Sequence, residues 1–156
     1  MRIVLSALLL CAVGCVSAYD ETYAKETEML EQAEKKRQAE EAAAHAEARK
    51  YAAVVYFDVN SAEIQDPREL DWFVKQMQPY PKAIIQVQGF ADSTGAESLN
   101  QELSEQRAAS VARYLSSAGI DPSQIRTEGF ASEYAARPNV TAEGRQRNRR
   151  VEVTVR

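Results

Sequence analysis

The most unusual chemistry in this sequence lies on the segment Glu97–Ala118, which predicts a long helix with polar residues on its buried face. Spacing its residues at about 100° gathers the large apolar side chains within one arc of roughly 140°. Asn100, Ser104 and Arg107 fall inside the N-terminal half of the same arc. Because an unpaired guanidinium in a core carries a heavy desolvation penalty, Arg107 needs either a carboxylate partner or a water-filled pocket.

Asp92 is the carboxylate that the predicted topology brings nearest to Arg107, since it lies in the loop from Gly89 to Gly95 just before the helix. Two interpretations are open. In one, Asp92 and Arg107 form a buried salt bridge that only stabilises the loop. In the other, they are opposite walls of a pocket for a zwitterion, in which Arg107 binds a carboxylate and Asp92 an ammonium while Asn100 fixes the orientation. The spacing alone does not choose between them.

The elements that must position these residues alternate between strands and helices from Tyr51 onward. One helix is predicted to begin at Pro67 and stop before Pro79, and the long helix is ended by Gly119. Short β-branched or alternating runs predict four strands. These runs are Val54–Phe57, Ala83–Gly89, Ile125–Phe130 and Val151–Val155. The order predicts an α/β (α+β sandwich) domain with βαβαββ topology, in which helices pack on a small mixed sheet.

A different composition precedes this domain. The segment Tyr19–Lys50 is rich in Glu, Ala, Lys and Gln and contains neither Gly nor Pro, which is typical of a helix. Large apolar residues are too sparse for a coiled-coil seam, so a solvated helix or a partly disordered linker is expected. As a full helix it would reach roughly 45 Å at 1.5 Å per residue, far enough to hold a domain off a membrane.

Residues 1–14 predict a lipoprotein signal peptide. Arg2 precedes an apolar run that is shorter than the roughly 20 residues needed to span a bilayer, so export and cleavage are expected. The sequence Ala12-Val13-Gly14-Cys15 resembles the bacterial lipobox, whose cysteine is diacylated and becomes the first residue of the mature protein; Ala12 replaces the usual leucine. The alternative is an ordinary signal peptide cut after Ala18. Val16, in place of an aspartate, favours the outer membrane of a Gram-negative cell.

Composition excludes several other classes of protein. Among the 156 residues the two cysteines, Cys11 and Cys15, both lie near the N-terminus, so a disulfide framework or a cysteine-based metal site is not expected in the domain. A single histidine, His45, argues against a zinc enzyme or a histidine triad. We find no nucleophile–base arrangement. The sequence therefore predicts a non-enzymatic protein without a metal or cofactor.

The C-terminal region is rich in arginine. A patch for nucleic acid is one interpretation, but a net charge of −4 and an exported chain argue against it. A solvated basic surface near an anionic glycan peptide is the simpler expectation. The arginines concerned are Arg137, Arg145, Arg147, Arg149, Arg150 and Arg156.

Several motifs resemble the OmpA-like C-terminal domain family, which includes the peptidoglycan-associated lipoprotein Pal and the periplasmic parts of flagellar motor stators. The resemblance covers nearly all of Tyr51–Arg156, with the motifs in the family's order and spacing. The matching motifs are Phe57-Asp58-Val59-Asn60, Gly89-Phe90-Ala91-Asp92-Ser93-Thr94-Gly95, Asn100-Gln101-Glu102-Leu103-Ser104, Arg107-Ala108, Tyr114-Leu115, Gly119-Ile120 and Asn148-Arg149-Arg150-Val151.

This resemblance implies non-covalent binding of peptidoglycan through the diaminopimelate of its stem peptide. In the family a loop aspartate and a helix arginine clamp that residue, and they correspond to Asp92 and Arg107. The free end of diaminopimelate carries both an ammonium and a carboxylate, which suits such a pair. The resemblance also implies that Asn100 and Arg149 contribute to the site, with Asp58 and Asn60 beside it.

The loop departs from the family pattern at two positions. The family usually has Gly-His-Thr-Asp where this chain has Gly89-Phe90-Ala91-Asp92. Loss of the threonine hydroxyl at Ala91 removes one polar group, whereas the imidazole replaced by Phe90 is expected to be structural. We therefore expect a lower affinity without a change of specificity.

Together these features predict a tether between the outer membrane and the cell wall. Residues 15–50 would carry the lipid anchor and the helical spacer, and residues 51–156 would bind peptidoglycan from the periplasmic face of the membrane. Envelope proteins are possible further partners. The alternative is a structural assembly protein of an envelope complex, in which the helix at Tyr19–Lys50 docks on partners.

Overall fold

The structure, a computed structural model, describes the backbone of residues 4–156 and the side chains of residues 22–156. The chain divides into two compact units, Met1–Ala43 and Ala44–Arg156. The predicted signal peptide (residues 1–14) and the predicted lipidation site Cys15 lie outside the residues whose side chains are described. Within the described ranges, no helix combines the length and the apolar character needed to cross a membrane.

Helix α1 (Val4–Ala48) makes up most of the first unit. Every side chain from residue 22 to residue 40 is exposed, so burial contributes little to this part of the helix. Ion pairs one turn apart link Lys36 to Glu40 and Arg37 to Glu41, each at 4.0 Å. Exposed pairs of this kind contribute only about 0.3–0.5 kcal/mol each. Helix formation here therefore depends mainly on the helix-favouring composition of the segment.

The second unit contains a four-stranded mixed sheet. Its strands are β1 (Ala52–Tyr56), β2 (Ile85–Gly89), β3 (Ile125–Gly129) and β4 (Arg150–Val155). Their order in the sheet is β1-β4-β2-β3. The last strand runs antiparallel to β1 and β2, whereas β2 and β3 are parallel. The C-terminal strand is thus central, and the mixed sheet expected from the sequence is confirmed.

Two helices cover one face of this sheet, α2 (Arg68–Met77) over β1 and α3 (Glu97–Ser117) over β2 and β3. Alternate residues of the strands face these helices and form one core with them. Its fully buried members include Phe57, Leu70, Phe73, Ile85, Val87, Val111, Leu115, Val151 and Val153. The sandwich of helices on a small sheet is therefore confirmed.

One helix was not predicted. Between β3 and β4 the chain forms α4 (Ala142–Asn148), so the order is βαβαβαβ rather than βαβαββ. The Thr141 hydroxyl caps this helix by accepting a hydrogen bond from the Gly144 N–H at 2.9 Å, and Glu143 lies in its first turn. A threonine cap followed by an acidic residue is a recognised start signal, but at seven residues α4 is too short to show helical periodicity.

Helix α3 lies unusually close to β2, and Gly89 makes this approach possible. A Cβ atom on Gly89 would be 2.0 Å from the carbonyl oxygen of Ser104, a backbone atom that cannot turn away. Because α3 carries Asn100 and Arg107, the absence of a side chain at Gly89 fixes how near these residues come to the end of β2.

We predict that Gly89→Ala lowers the free energy of unfolding by about 3 kcal/mol or more, because the helix must move away from the sheet. Gly119→Ala is the matched control. Gly119 has a φ of +106° but open space around its Cβ position, so only backbone strain of about 1–2 kcal/mol is expected. Urea denaturation of both variants measures the difference. Equal losses would contradict the close approach.

Candidate functional site

Strands β1, β2 and β3 all end at the edge of the sheet where β4 begins, because β4 is antiparallel to its neighbours and β3 is parallel to β2. The ladder continues past the strand ends. The N–H of Phe57 donates to the carbonyl of Arg149, and the N–H of Phe90 donates to that of Arg150, both at 2.9 Å. This edge therefore collects the segments that follow β1 and β2, and it brings Asp92 close to Arg149.

Asp92 and Arg149 form a buried ion pair. Nη1 of Arg149 donates to Oδ2 of Asp92 at 2.8 Å. Arg149 is 8% exposed and Asp92 is 7% exposed. Oδ1 of Asp92 accepts the N–H of Thr94 at 2.8 Å. Arg149 also donates through Nε to the carbonyl of Phe57 at 3.1 Å and through Nη2 to the side chain of Gln146. The pair therefore joins the loop after β2 to the start of β4.

The pKa of Asp92 reflects opposing influences. Burial raises it, but the hydrogen bonds from Arg149 and Thr94 outweigh burial and hold the pKa below the ordinary value of 3.8. The side chain is therefore a carboxylate throughout the neutral range and carries a full negative charge into the site.

Arg107 is fully buried, and its guanidinium donates to three backbone carbonyls. Nε reaches Ser61 at 2.8 Å, Nη2 reaches Asp58 at 2.9 Å and Nη1 reaches Phe90 at 3.0 Å. Burial and the nearby charge of Arg149 lower the pKa of Arg107 to about 10, against the opposing charge of Asp92. It stays protonated at neutral pH.

The salt bridge considered from the sequence is not the arrangement found. Asp92 is paired with Arg149, and it acts on Arg107 only through space. The need of a buried guanidinium for partners follows from the sequence. Backbone carbonyls could not be predicted as those partners, because the turn that supplies two of them lies 46 and 49 residues away along the chain.

Asn100 lies two turns before Arg107 on the same face of α3 and is only 5% exposed. Its Nδ2 is buried and, among the described atoms, has no hydrogen-bond partner. An unsatisfied buried donor costs about 1–3 kcal/mol. Ser104, between the two, is fully satisfied, since its Oγ donates to the Gln101 carbonyl at 2.8 Å and accepts the Ala131 N–H at 3.1 Å. On this face of α3 the unmet donor is therefore that of Asn100; among the described side chains, Nη1 of Arg150 is the other buried donor without a partner.

Asp58 and Asn60 occupy the turn after β1, and both side chains are exposed. Asn60 has a φ of 54°, a left-handed conformation that asparagine adopts more readily than most residues. The contact with Arg107 comes from the backbone of this turn rather than from its side chains. The structure thus groups Asp92, Arg107 and Arg149, with Asn100 on the same helix face and the exposed turn beside them.

Arg150 was not among the predicted site residues, and part of the basic C-terminal region differs from its prediction. Arg149 and Arg150 are 8% and 6% exposed, so the expectation of a solvated surface is wrong for these two. The guanidinium of Arg150 lies 4.0 Å from the centre of the Phe90 ring, and its Nε donates to Glu152 at 2.6 Å. The signal available in the sequence was position, since Arg150 directly precedes the strand Val151–Val155 and Arg149 lies two residues before it.

A metal ion has no evident place here. In the part of the chain with described side chains, no group of three or more His, Cys, Asp or Glu residues is arranged to hold one. The charged groups at this edge instead combine two guanidinium groups with one carboxylate, an arrangement suited to binding rather than to proton transfer.

Comparison with known proteins gives a family. A model of the OmpA family matches residues 56–149, more than half of the chain. The probable lipoprotein YiaD of Escherichia coli (strain K12) is 43% identical over 103 residues, which are 65% of this chain and 47% of YiaD. The peptidoglycan-binding protein ArfA of Mycobacterium tuberculosis (strain ATCC 25618 / H37Rv) is 44% identical over 75 residues, 48% of this chain and 23% of ArfA. The chain thus spans about half or less of the length of these curated relatives.

The fold of this chain also resembles a solved structure. The crystal structure of the peptidoglycan-associated lipoprotein from Burkholderia pseudomallei matches with a TM-score of 0.64 and 26% identity, covering 67% of this chain and 90% of that one. ArfA is named as a peptidoglycan-binding protein and the Burkholderia protein as a peptidoglycan-associated lipoprotein, so these relatives are named for binding rather than for an enzymatic activity. The predicted resemblance, the predicted fold and the prediction of a non-enzymatic protein are therefore confirmed.

We predict that Asp92→Asn lowers the free energy of unfolding by about 2 kcal/mol at pH 7, because Arg149 loses its charged partner. The folded-state pKa of Asp92 lies below its unfolded value, so this stabilisation is complete above pH 3.8 and is lost as the pH falls through the folded-state pKa. Denaturation from pH 7 to pH 2 should show the parent approaching the variant below about pH 4.

Asp66→Asn provides the control, because Asp66 pairs with Arg68 in an exposed position and should contribute less at pH 7. A difference between parent and Asp92→Asn that stays constant down to pH 2 would contradict the assignment of this stabilisation to the Asp92 carboxylate.

Proposed function

We propose that this chain, which belongs to the OmpA family, binds peptidoglycan non-covalently through the diaminopimelate of the stem peptide. The observation that carries the proposal is the buried, unpartnered amide of Asn100 on the helix face that also presents Arg107. Buried donors in stable domains normally meet an acceptor, and here a ligand oxygen would supply it.

The unused hydrogen-bonding capacity at this edge matches the free end of diaminopimelate. A guanidinium has five N–H donors, and Arg107 and Arg149 each use three of them within the domain. Two donors on each therefore remain for a ligand carboxylate. Asp92 accepts hydrogen bonds from Arg149 and from the N–H and the side chain of Thr94, and a carboxylate has about four acceptor positions, which leaves room for an ammonium.

Charge favours diaminopimelate over lysine. Arg107, Arg149 and Asp92 together carry a net positive charge, so the buried part of the site favours a ligand that brings a carboxylate, while the exposed carboxylate of Asp58 lies on the rim. A ligand that brings a carboxylate beside its ammonium is attracted at both ends. Lysine has the ammonium alone, whereas diaminopimelate has both.

Access to Arg107 requires a small movement. Its guanidinium is covered in the unbound chain, and the turn from Asp58 to Ser61 supplies two of the three carbonyls around it. The side chains of Asp58 and Asn60 are exposed, so this turn is the part of the cover with least packing to lose. We assign Asp58 and Asn60 to the rim that the stem peptide displaces.

The tethering half of the proposal rests on the N-terminal region. A diacylated Cys15 would hold the chain in the outer membrane, since each buried CH₂ contributes about 0.8 kcal/mol. The exposed part of α1 would then act as the spacer between lipid and wall-binding domain. This arrangement links the outer membrane to peptidoglycan from the periplasmic face.

A second candidate function is that of an assembly protein whose α1 docks on envelope partners. The observation that favours it is a set of large apolar side chains on the helix, since Tyr23, Met29 and Leu30 are 65%, 70% and 62% exposed. Binding to a partner through them would not involve the edge at Asp92. The two functions therefore separate in variants of that edge.

We predict that Asn100→Ala weakens binding to purified diaminopimelate-type sacculi by about tenfold, because a hydrogen bond to the ligand is lost. Its free energy of unfolding should be unchanged or higher, since the variant removes an unsatisfied buried donor. Co-sedimentation measures the affinity, and urea denaturation measures the stability.

Gln106→Ala, an exposed change on the same helix, is the matched control and should bind like the parent. Lysine-type sacculi should bind the parent at least about tenfold more weakly than diaminopimelate-type sacculi. Equal binding to both walls would overturn the diaminopimelate assignment, and unweakened binding by Asn100→Ala would remove Asn100 from the site.

We predict that Cys15→Ser abolishes labelling with radioactive palmitate and moves the chain from the membrane fraction to the soluble periplasmic fraction, because no acyl chain is then attached. Cys11→Ser is the matched control and should keep both properties. Unchanged labelling of Cys15→Ser would refute lipidation at this cysteine.

A further inference from the structure

Strand β1 is an outermost strand of the sheet, so one of its hydrogen-bonding sides has no neighbouring strand and faces outward. Phe57 donates its N–H to Arg149 on the adjacent segment, so this is a hydrogen-bonded pair of the antiparallel ladder. Such pairs alternate along a ladder with pairs whose backbone groups point away from the neighbour. Ala52, Val54 and Tyr56 therefore direct their N–H and C=O groups away from β4.

A groove of about 610 Å³ runs along this strand. All five residues of β1 line it, and the segment from Gln65 to Glu69 contributes to its wall. Val54 and Tyr56 are 36% and 41% exposed, which leaves apolar surface beside the free backbone groups. The groove thus offers both the hydrogen bonds and the side-chain contacts that an added strand requires.

The lining of the groove is acidic. Asp58, Asp66 and Glu69 contribute three carboxylates, and no lysine or arginine is among the lining residues. At the Tyr56 end, the guanidinium of Arg147 lies 5.9 Å from the centre of the Tyr56 ring. Arg68, on the solvent side, neutralises Asp66 only. A second copy of β1 added here would bring two such sets of carboxylates together, so the charge disfavours self-association. The same charge attracts a cationic segment.

We propose that this groove binds an extended, basic segment of a protein partner, which adds to β1 as a fifth strand of the sheet. The partner's main chain pairs with Ala52, Val54 and Tyr56, and its lysine or arginine side chains meet the three carboxylates. The groove shares Asp58 with the rim of the proposed peptidoglycan site, but strand β1, Asp66 and Glu69 are not among the residues of that site.

The test uses the full chain and a blocked nonapeptide of alternating lysine and threonine, followed by amide hydrogen exchange and titration. Exchange at the N–H groups of Val54 and Tyr56 should slow by at least about tenfold in the complex. Val54→Pro removes an outward N–H at an edge position that tolerates proline, and should weaken binding by about tenfold. Val54→Thr is the matched control and should bind like the parent.

Glu69→Lys, which leaves the strand untouched, should weaken binding as well and keeps the test decisive if Val54→Pro fails to fold. Three results would overturn the proposal. The first is equal binding of the corresponding glutamate–threonine peptide, and the second is undiminished binding of the lysine peptide by both variants. The third is protection of the same N–H groups by self-association of the chain without peptide. Sacculus binding should be unaffected in Val54→Pro.

Discussion

A guanidinium that is fully buried, as that of Arg107 is, must have its charge met by dipoles or charges from elsewhere in the fold. Three carbonyls do this, from Asp58, Ser61 and Phe90. Two belong to the turn after β1 and one to the loop after β2, so a single side chain on α3 holds both segments at the same edge of the sheet. Because carbonyls are neutral, they leave the positive charge of Arg107 in place, whereas a carboxylate partner would cancel it.

The pair of Asp92 and Arg149 depends on that arrangement. With Arg107 satisfied by backbone, Asp92 is available to Arg149 at 2.8 Å, and the two arginines share one nearby carboxylate. Repulsion from Arg149 helps burial to lower the pKa of Arg107. Gly89 sets the distance, because α3 reaches this edge only where β2 carries no side chain.

Much of this domain is encoded locally, and those parts could be predicted. The strands follow from alternating patterns, and helices α2 and α3 follow from helical patterns. Arg107 was identified because a charge interrupted an apolar helix face. The pairing of Asp92 with Arg149 was not predicted, since it joins residues 57 positions apart. A periodic pattern assigns a residue to a face, but it carries no information about which distant segment supplies its partner. Arg150 was misjudged for the same reason, because its burial against Phe90 arises only when β4 pairs with β2.

The loop differs from the family pattern at Phe90 and Ala91, and both residues contribute packing rather than polar side-chain contacts. The ring centres of Phe90 and Phe130 are 5.5 Å apart, and the guanidinium of Arg150 lies 4.0 Å from the centre of the Phe90 ring. Phe90 therefore packs the loop against β4 and the segment after β3. Ala91 is 3% exposed and its N–H donates to Ala131 at 2.7 Å; a hydroxyl at that position would need a partner of its own. Both residues hold the loop by packing and backbone pairing. For the ligand proposed above, the polar contacts would come from Asp92, Asn100, Arg107 and Arg149, which keep unused donors or acceptors within the domain.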